Sequence, residues 1–227
     1  MQMCVIRDLA VLAILSAPLL CRAQGIITTV AGNGQQAFSG DGGPAIKAGV
    51  NPFGVVADKT GNLYISDLVN FRVRKVNTAG IISTVAGCDP SVIACILAGL
   101  GDGGPATGAY IPVFNAVLDG AGNLFIADNG HNTIRKVTPK GILSTVAGGG
   151  LSLGDGGLAT SAQLNGPLGL AIDAAGSIYI ADVGNNRIRK VNTAESSPRS
   201  PATGPPTTRA MAARAPVPSL IARTSSL

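Results

Sequence analysis

Tryptophan is absent from these 227 residues, histidine occurs once, at His131, and aromatic side chains make up only 4%. A core drawn from this sequence is therefore built of small aliphatics rather than large aromatic anchors. Charged residues amount to 13%, which with the abundance of Val, Ile, Leu and Ala excludes a largely disordered chain. A lone histidine excludes multi-histidine metal sites and paired imidazole catalysis. No Gly-x-Ser-x-Gly elbow occurs, and no cysteine stands at a spacing that suits a Cys–His nucleophile. Outside the N-terminus there is no long apolar run, so no other stretch could span a membrane as a helix.

The formal charge of +5 is concentrated at the two ends. The segment to Ala23 contributes +1 through Arg7, Asp8 and Arg22, and the segment from Glu195 onward contributes +3, leaving +1 for everything between. A face able to neutralise several phosphates is not evident, and no nucleic-acid partner is expected. Residues 1–23 have the form of a secretory signal, with Arg7 as a short basic start and an apolar run over 9–20 (LAVLAILSAPLL). Cys21-Arg22-Ala23 then places small residues where a signal peptidase cuts, so cleavage is expected near Ala23 and the location is secreted or periplasmic. Pro18 stands where a lipoprotein box requires leucine. Cys4 and Cys21 leave with the signal, and the remaining pair, Cys88 and Cys95, lies in an insertion of one repeat (CDPSVIAC). An oxidising compartment favours a bridge between them, which would stabilise by roughly 2 kcal/mol; two free buried thiols are the alternative.

Three segments repeat. Residues 54–87 read GVVADKTGNLYISDLVNFRVRKVNTAGIISTVAG, and 115–148 read NAVLDGAGNLFIADNGHNTIRKVTPKGILSTVAG. Residues 169–194 read GLAIDAAGSIYIADVGNNRIRKVNTA. In each, short β-type runs alternate with Gly, Asn and Asp turn signals, giving four strands per period: in the first copy 55–57, 63–66, 72–76 and 81–85. In the third run Val73 and Val76 are three apart, which predicts a bulge or a strand end there. Four antiparallel strands per period describe a propeller blade, and the fold class is all-β, a β-propeller with about three blades present. A β-solenoid is the alternative, but its coils are shorter and lack this hairpin order.

The pattern P-x-G-V-A-x-D-x-x-G-N-L-Y-I-A-D-x-x-N-x-R-I-R-K-V, carried at 52–76, 113–137 and 167–191, closely resembles the NHL repeat. The T-V-A-G…G-D-G-G-P-A linkers resemble those of bacterial exported NHL proteins. The resemblance covers nearly all of 25–194 and implies blades of a propeller that is usually six-bladed. His131 departs from it, standing where Asn70 and Asn185 occur, and Thr133 replaces the arginine of Arg72 and Arg187.

The domain organisation expected is a signal peptide at 1–23, a partial propeller at 24–194 and a disordered tail at 195–227. The tail has a second reading as an out-of-frame remnant of the next blade. Shifted by one base, 195–204 (ESSPRSPATG) can encode GIITTVAGNG, and 209–214 (RAMAAR) can encode SGDGGP. An open arc exposes terminal blade edges and invites self-association, with residues 26–30 as a fourth strand awaiting a blade.

Asp67, Asp128 and Asp182 recur at the end of the second strand, and a ring of carboxylates suggests a metal or acid–base site. Equivalence in every blade favours architecture instead, each capping a turn by accepting backbone N–H bonds. Asn70 and Asn185, with Arg72, Arg74, Lys75 and the counterparts Arg135 and Arg189, are expected on a solvated strand face able to pair with those aspartates. Asp41, Asp102 and Asp155 sit singly in Gly-Asp-Gly-Gly loops that lack the lysine of a P-loop and the acids of an EF-hand. Those loops join consecutive blades and are expected on one rim, the first place to look for a ligand. No cofactor, metal or catalytic residue is expected. The function expected is a non-enzymatic extracytoplasmic binding or scaffold module for an unidentified protein or glycan. The alternatives are a propeller lyase or hydrolase, or a gluconolactonase-like enzyme, with its catalytic residues on other blades, and a ligand-sensing ectodomain of a larger protein.

Overall fold

The computed structural model describes residues 25–89, 91–97 and 99–192. The signal segment and the tail with its frame-shifted reading lie outside the described residues. Among the described residues, eleven strands form three antiparallel sheets in simple up-and-down order. The first holds β1 (Pro52–Ala57), β2 (Leu63–Asp67), β3 (Arg72–Val76) and β4 (Ile82–Ala86). The second holds β5 (Val113–Leu118), β6 (Leu124–Asp128), β7 (Thr133–Val137) and β8 (Leu143–Gly148). The third holds β9 (Pro167–Ile172), β10 (Ile178–Asp182) and β11 (Arg187–Val191), with no fourth strand among the described residues. Each sheet is one blade, and the set is an incomplete β-propeller.

Local chemistry sets the turns. Between β1 and β2, Asp58 accepts the backbone N–H groups of Thr60 and Asn62 and the Asn62 side-chain amide. Asp119 and Asp173 repeat the Asx turn in the other blades. The Asn62 bond is the main reason the Asp58 carboxyl titrates far below the ordinary carboxylate range. Gly61, at φ 88°, supplies the left-handed residue this turn needs. Between β2 and β3 the left-handed residue is Asn132 or Asn186 in two blades but Phe71, at φ 54°, in the first.

Both faces of the third strand are covered in blades 1 and 2, which explains its hydrophobic spacing. Val73 packs toward blade 2, whereas Val76 belongs to the cluster on the opposite face with Ile65, Ile82, Ala45 and Ala48. β3 pairs with β2 without interruption, so its alternation is intact. The irregularity lies in the register with β4, where Val73 faces Ala86 and Arg74 faces Thr84, leaving Val85 as the extra residue. Blade 2 repeats this with Ile134 against Ala147 and Arg135 against Thr145.

The linkers are part of the core. Ala45, Ala48 and Val50 are buried against blade 1, and Ala106, Ala109 and Ile111 fill the space between blades 1 and 2. Gly42 N–H and Ala45 N–H donate to the carbonyls of Ile82 and Gly80, clamping the first Gly-Asp-Gly-Gly loop against the blade that follows it. The insertion of the second linker carries a short helix, α1 (Ile93–Leu97), and a Cys88–Cys95 disulfide with a Cα separation of 6.0 Å.

Candidate functional site

The repeated charged residues meet in a relay in each blade, anchored on a buried aspartate. In blade 1, Asp67 is fully buried at the end of β2, and its Oδ1 accepts the Asn51 backbone N–H and the Asn70 amide, both at 2.7 Å. Its Oδ2 faces Arg74 Nη1 at 3.3 Å. The same guanidinium reaches Asp41 Oδ1 through Nη2 at 2.5 Å and Nε at 2.9 Å, and donates to the Ser39 carbonyl at 3.1 Å. Asp41 Oδ2 in turn accepts the Thr84 hydroxyl at 2.6 Å and its N–H at 3.1 Å. One arginine thus ties the end of β2, the linker loop and, through Asp41, β4 together.

Blade 2 repeats the relay as Asp128–Arg135–Asp102, at 3.5 and 2.5 Å, with Arg135 also donating to the Leu100 carbonyl. Blade 3 repeats it as Asp182–Arg189–Asp155, at 3.3 and 2.7 Å, with Asn165 N–H and the Asn185 amide on Asp182. Two expectations need correction. Arg74 and Arg135 are not on a solvated face: both have 0% exposed side chains, because the preceding linker packs over each of them. Asp41, Asp102 and Asp155 are not free carboxylates on a ligand rim; each pairs with the arginine of the following blade, although Asp155 stays 70% exposed. Asp67 and Asp182 do accept backbone N–H bonds, but those of Asn51 and Asn165, which stand before the first strand. Only Asp128 accepts one within its own turn, from His131. No group of three or more metal-capable side chains occurs among the described residues.

His131 completes the second relay differently. Its Nδ1 lies 2.8 Å from Asp128 Oδ2, and this hydrogen bond raises the imidazole pKa above its ordinary value of 6.5, with burial opposing it. Its ring stands edge-on to Tyr110 at 5.9 Å between centroids, and Tyr110 meets Phe71 at 5.2 Å. Phe71 belongs to the β2–β3 turn of blade 1, Tyr110 to the linker just before β5, and His131 to the β6–β7 turn of blade 2. The three rings form a half-buried row across one rim where two blades join. Beside this row, where the innermost strands begin, Phe53 and Phe114 pair edge to face at 5.4 Å, with Phe53 58% exposed. Reading the repeat did not single out this row, since its members sit at unlike positions of unlike elements. The available signal was that Phe71 occupies a left-handed turn position where the other copies carry asparagine.

Repeated antiparallel blades, two of them four-stranded and bulged alike and all three carrying one Asp–Arg–Asp relay, define a propeller of repeat type. The sequence profile of the NHL repeat matches residues 164–191. Mouse teneurin-3 is 30% identical over 246 aligned residues, covering 72% of this chain and 9% of the relative. Mouse teneurin-4 is 28% identical over 243 residues, covering 70% and 9%. A crystal structure of a Bacteroides thetaiotaomicron protein provisionally described as a phosphatase superposes with a TM-score of 0.51 at 20% identity, over 65% of this chain and 36% of that one. The chain spans about a tenth of the length of the curated relatives it matches. This protein belongs to the NHL-repeat β-propeller family.

Proposed function

We propose that this NHL propeller is an extracytoplasmic binding or scaffold module that works without catalysing a reaction, and that its ligand, a protein or a glycan, docks on the Phe71–Tyr110–His131 rim. One observation carries the reading: Phe71 is kept at φ 54° although a bulky side chain is strained there and asparagine serves in the other two blades. That strain presents an aromatic ring to the rim beside Tyr110. Aromatic rings with half-exposed faces suit flat sugar surfaces and apolar peptide side chains. The repeated carboxylates, by contrast, are already committed to arginine and backbone donors. The extracytoplasmic part rests on the signal-like segment 1–23, which lies outside the described residues, and on the Cys88–Cys95 bridge. Among the described residues no helix is long and apolar enough to cross a membrane.

The test compares the full chain with Phe71→Asn and Tyr110→Ala on printed glycan and peptide arrays. Phe71→Asn restores the residue of the sister blades, so the reading expects equal or higher stability together with lost or weakened binding. Unchanged binding by both variants, or turnover by the full chain on a lactone, glycan or peptide panel, would overturn it.

A further inference from the structure

Blade 3 has no fourth strand among the described residues, and a sequence of the fourth-strand type occurs elsewhere in the chain. In blades 1 and 2 the fourth strand buries Ile82 and Ala86, and Leu143 and Ala147, against the third. Beside β11 no strand lies among the described residues, and the consequences are local. Ile188 is 73% exposed, whereas Val73 and Ile134, its equivalents, are 1% and 0% exposed under the linker and blade that follow them, so blade 3 has an uncovered face as well as a bare edge among the described residues. Asp155 accepts from Arg189, but among the described residues no threonine stands where Thr84 serves Asp41 and Thr145 serves Asp102. A groove of about 410 Å³ runs there, lined by 187–192 with Ala162 and Leu164.

The segment that fits this groove is residues 25–32, GIITTVAG, which differs from the β4 region GIISTVAG (80–87) only by Thr28 for Ser83. It has no strand partner among the described residues, and Ile26 and Ile27 are 90% and 98% exposed. Its downstream end already follows the β4 pattern: Gly32 N–H donates to the Ala45 carbonyl at 2.9 Å as Gly87 N–H does to that of Ala106 at 3.0 Å. Within one chain, blade 2 stands between blade 1, which this segment enters, and blade 3.

We propose that the β11 edge is completed by residues 26–31 of a second copy of this chain. The register follows from blade 1: Ile27 opposite Val191, Thr28 opposite Lys190, Thr29 opposite Arg189 and Ala31 opposite Ile188. Thr29 then donates to Asp155 as Thr84 does to Asp41, and Ile27 fills the groove as Ile82 does in blade 1. The blade 1 face of the second copy, where Val55 is 66% exposed, comes to lie against the open blade 3 face of the first, repeating the two interblade packings already present. Performed reciprocally, the exchange is a two-fold interface that joins the blades of both copies in one ring. The proposal rests on the blade architecture alone and is independent of the rim-binding reading.

The test measures the mass and concentration dependence of the full chain by light scattering and sedimentation, with hydrogen exchange read over 187–191. A two-copy species is expected, with protection of the β11 amides that falls on dilution. Ile27→Asp leaves a single copy unperturbed, since Ile27 is exposed there, but buries a carboxylate in the joint, so dissociation is expected to rise roughly tenfold or more. Thr29→Val, which removes only the bond to Asp155, is expected to weaken the joint less than Ile27→Asp. A single-copy chain at the tens-of-micromolar level overturns the proposal, as does a two-copy species indifferent to Ile27→Asp. So does a single-copy chain whose β11 amides stay protected at every dilution, because its own residues then occupy the edge.

Discussion

Replacing Arg74 by methionine is the sharpest probe of what holds the blades together. Arg74 has a fully buried side chain facing Asp67, also fully buried, and Asp41, which is one-third exposed. Methionine fills much of the same volume but strands the Asp67 carboxylate with neutral donors only, the Asn51 N–H and the Asn70 amide. Removing one member of a buried pair costs about 3–5 kcal/mol, because the remaining charge is left in a medium that solvates it poorly. Arg74 also stands 4.6 Å over the Phe38 ring, and that cation–π attraction disappears with the guanidinium. Blade 3 supplies the internal comparison. Asp182 has equivalent neutral donors, but Arg189 is 10% exposed and Asp155 is 70% exposed beside an open edge. Water reaches that relay in a single copy, so Arg189→Met, measured together with Ile27→Asp to keep the chain single, is expected to cost no more than about 2 kcal/mol. With no tryptophan to report, urea unfolding followed by far-UV circular dichroism gives both values by linear extrapolation. An Arg74→Met loss below about 1 kcal/mol, or an Arg189→Met loss equal to it, would refute the claim that buried charge compensation locks the blades.

His131 gives a pH signature. Its pKa is raised in the folded state by the Asp128 hydrogen bond, so the stability it contributes is fully present below the ordinary value of 6.5 and is lost as pH rises through the higher folded value. His131→Asn, the residue of the sister blades, is expected to remove that slope, and parallel stability curves for the two proteins above pH 6.5 would contradict it. The Ser66 hydroxyl is buried without a hydrogen-bond partner, whereas the equivalent residues are Ala127 and Ala181. Ser66→Ala is therefore expected to leave stability unchanged or raise it by about 1 kcal/mol; a comparable loss in thermal or urea unfolding would mean that the hydroxyl is bonded.

The strands were legible because their residues repeat. The β-type runs, the Asx turns at Asp58, Asp119 and Asp173, and the glycines after them recur at one spacing, and each is a local preference needing no distant partner. Even the bulge was half visible: the spacing of Val73 and Val76 signalled an irregularity, but the pairing places it in β4. The charged residues were misread because burial is not a local property. Arg74 and Lys75 are adjacent in sequence, yet one is sealed beneath a linker and the other is only half-buried, lying over the Tyr64 ring. The Gly-Asp-Gly-Gly loops look like surface turns until the alanines after them are found packed between blades.

By itself, then, the sequence determined the blade: its strands, its turns, its period and the family it resembles, all set by short-range backbone preferences repeated along the chain. The tertiary structure alone decided which aspartates share an arginine across some thirty residues, which rings gather on the Phe71–Tyr110–His131 rim, and that β11 has no partner on its outer edge among the described residues. The division is physical: propensity acts between neighbours in sequence, whereas charge compensation, ring stacking and edge pairing depend on what the fold brings together and what it leaves in water.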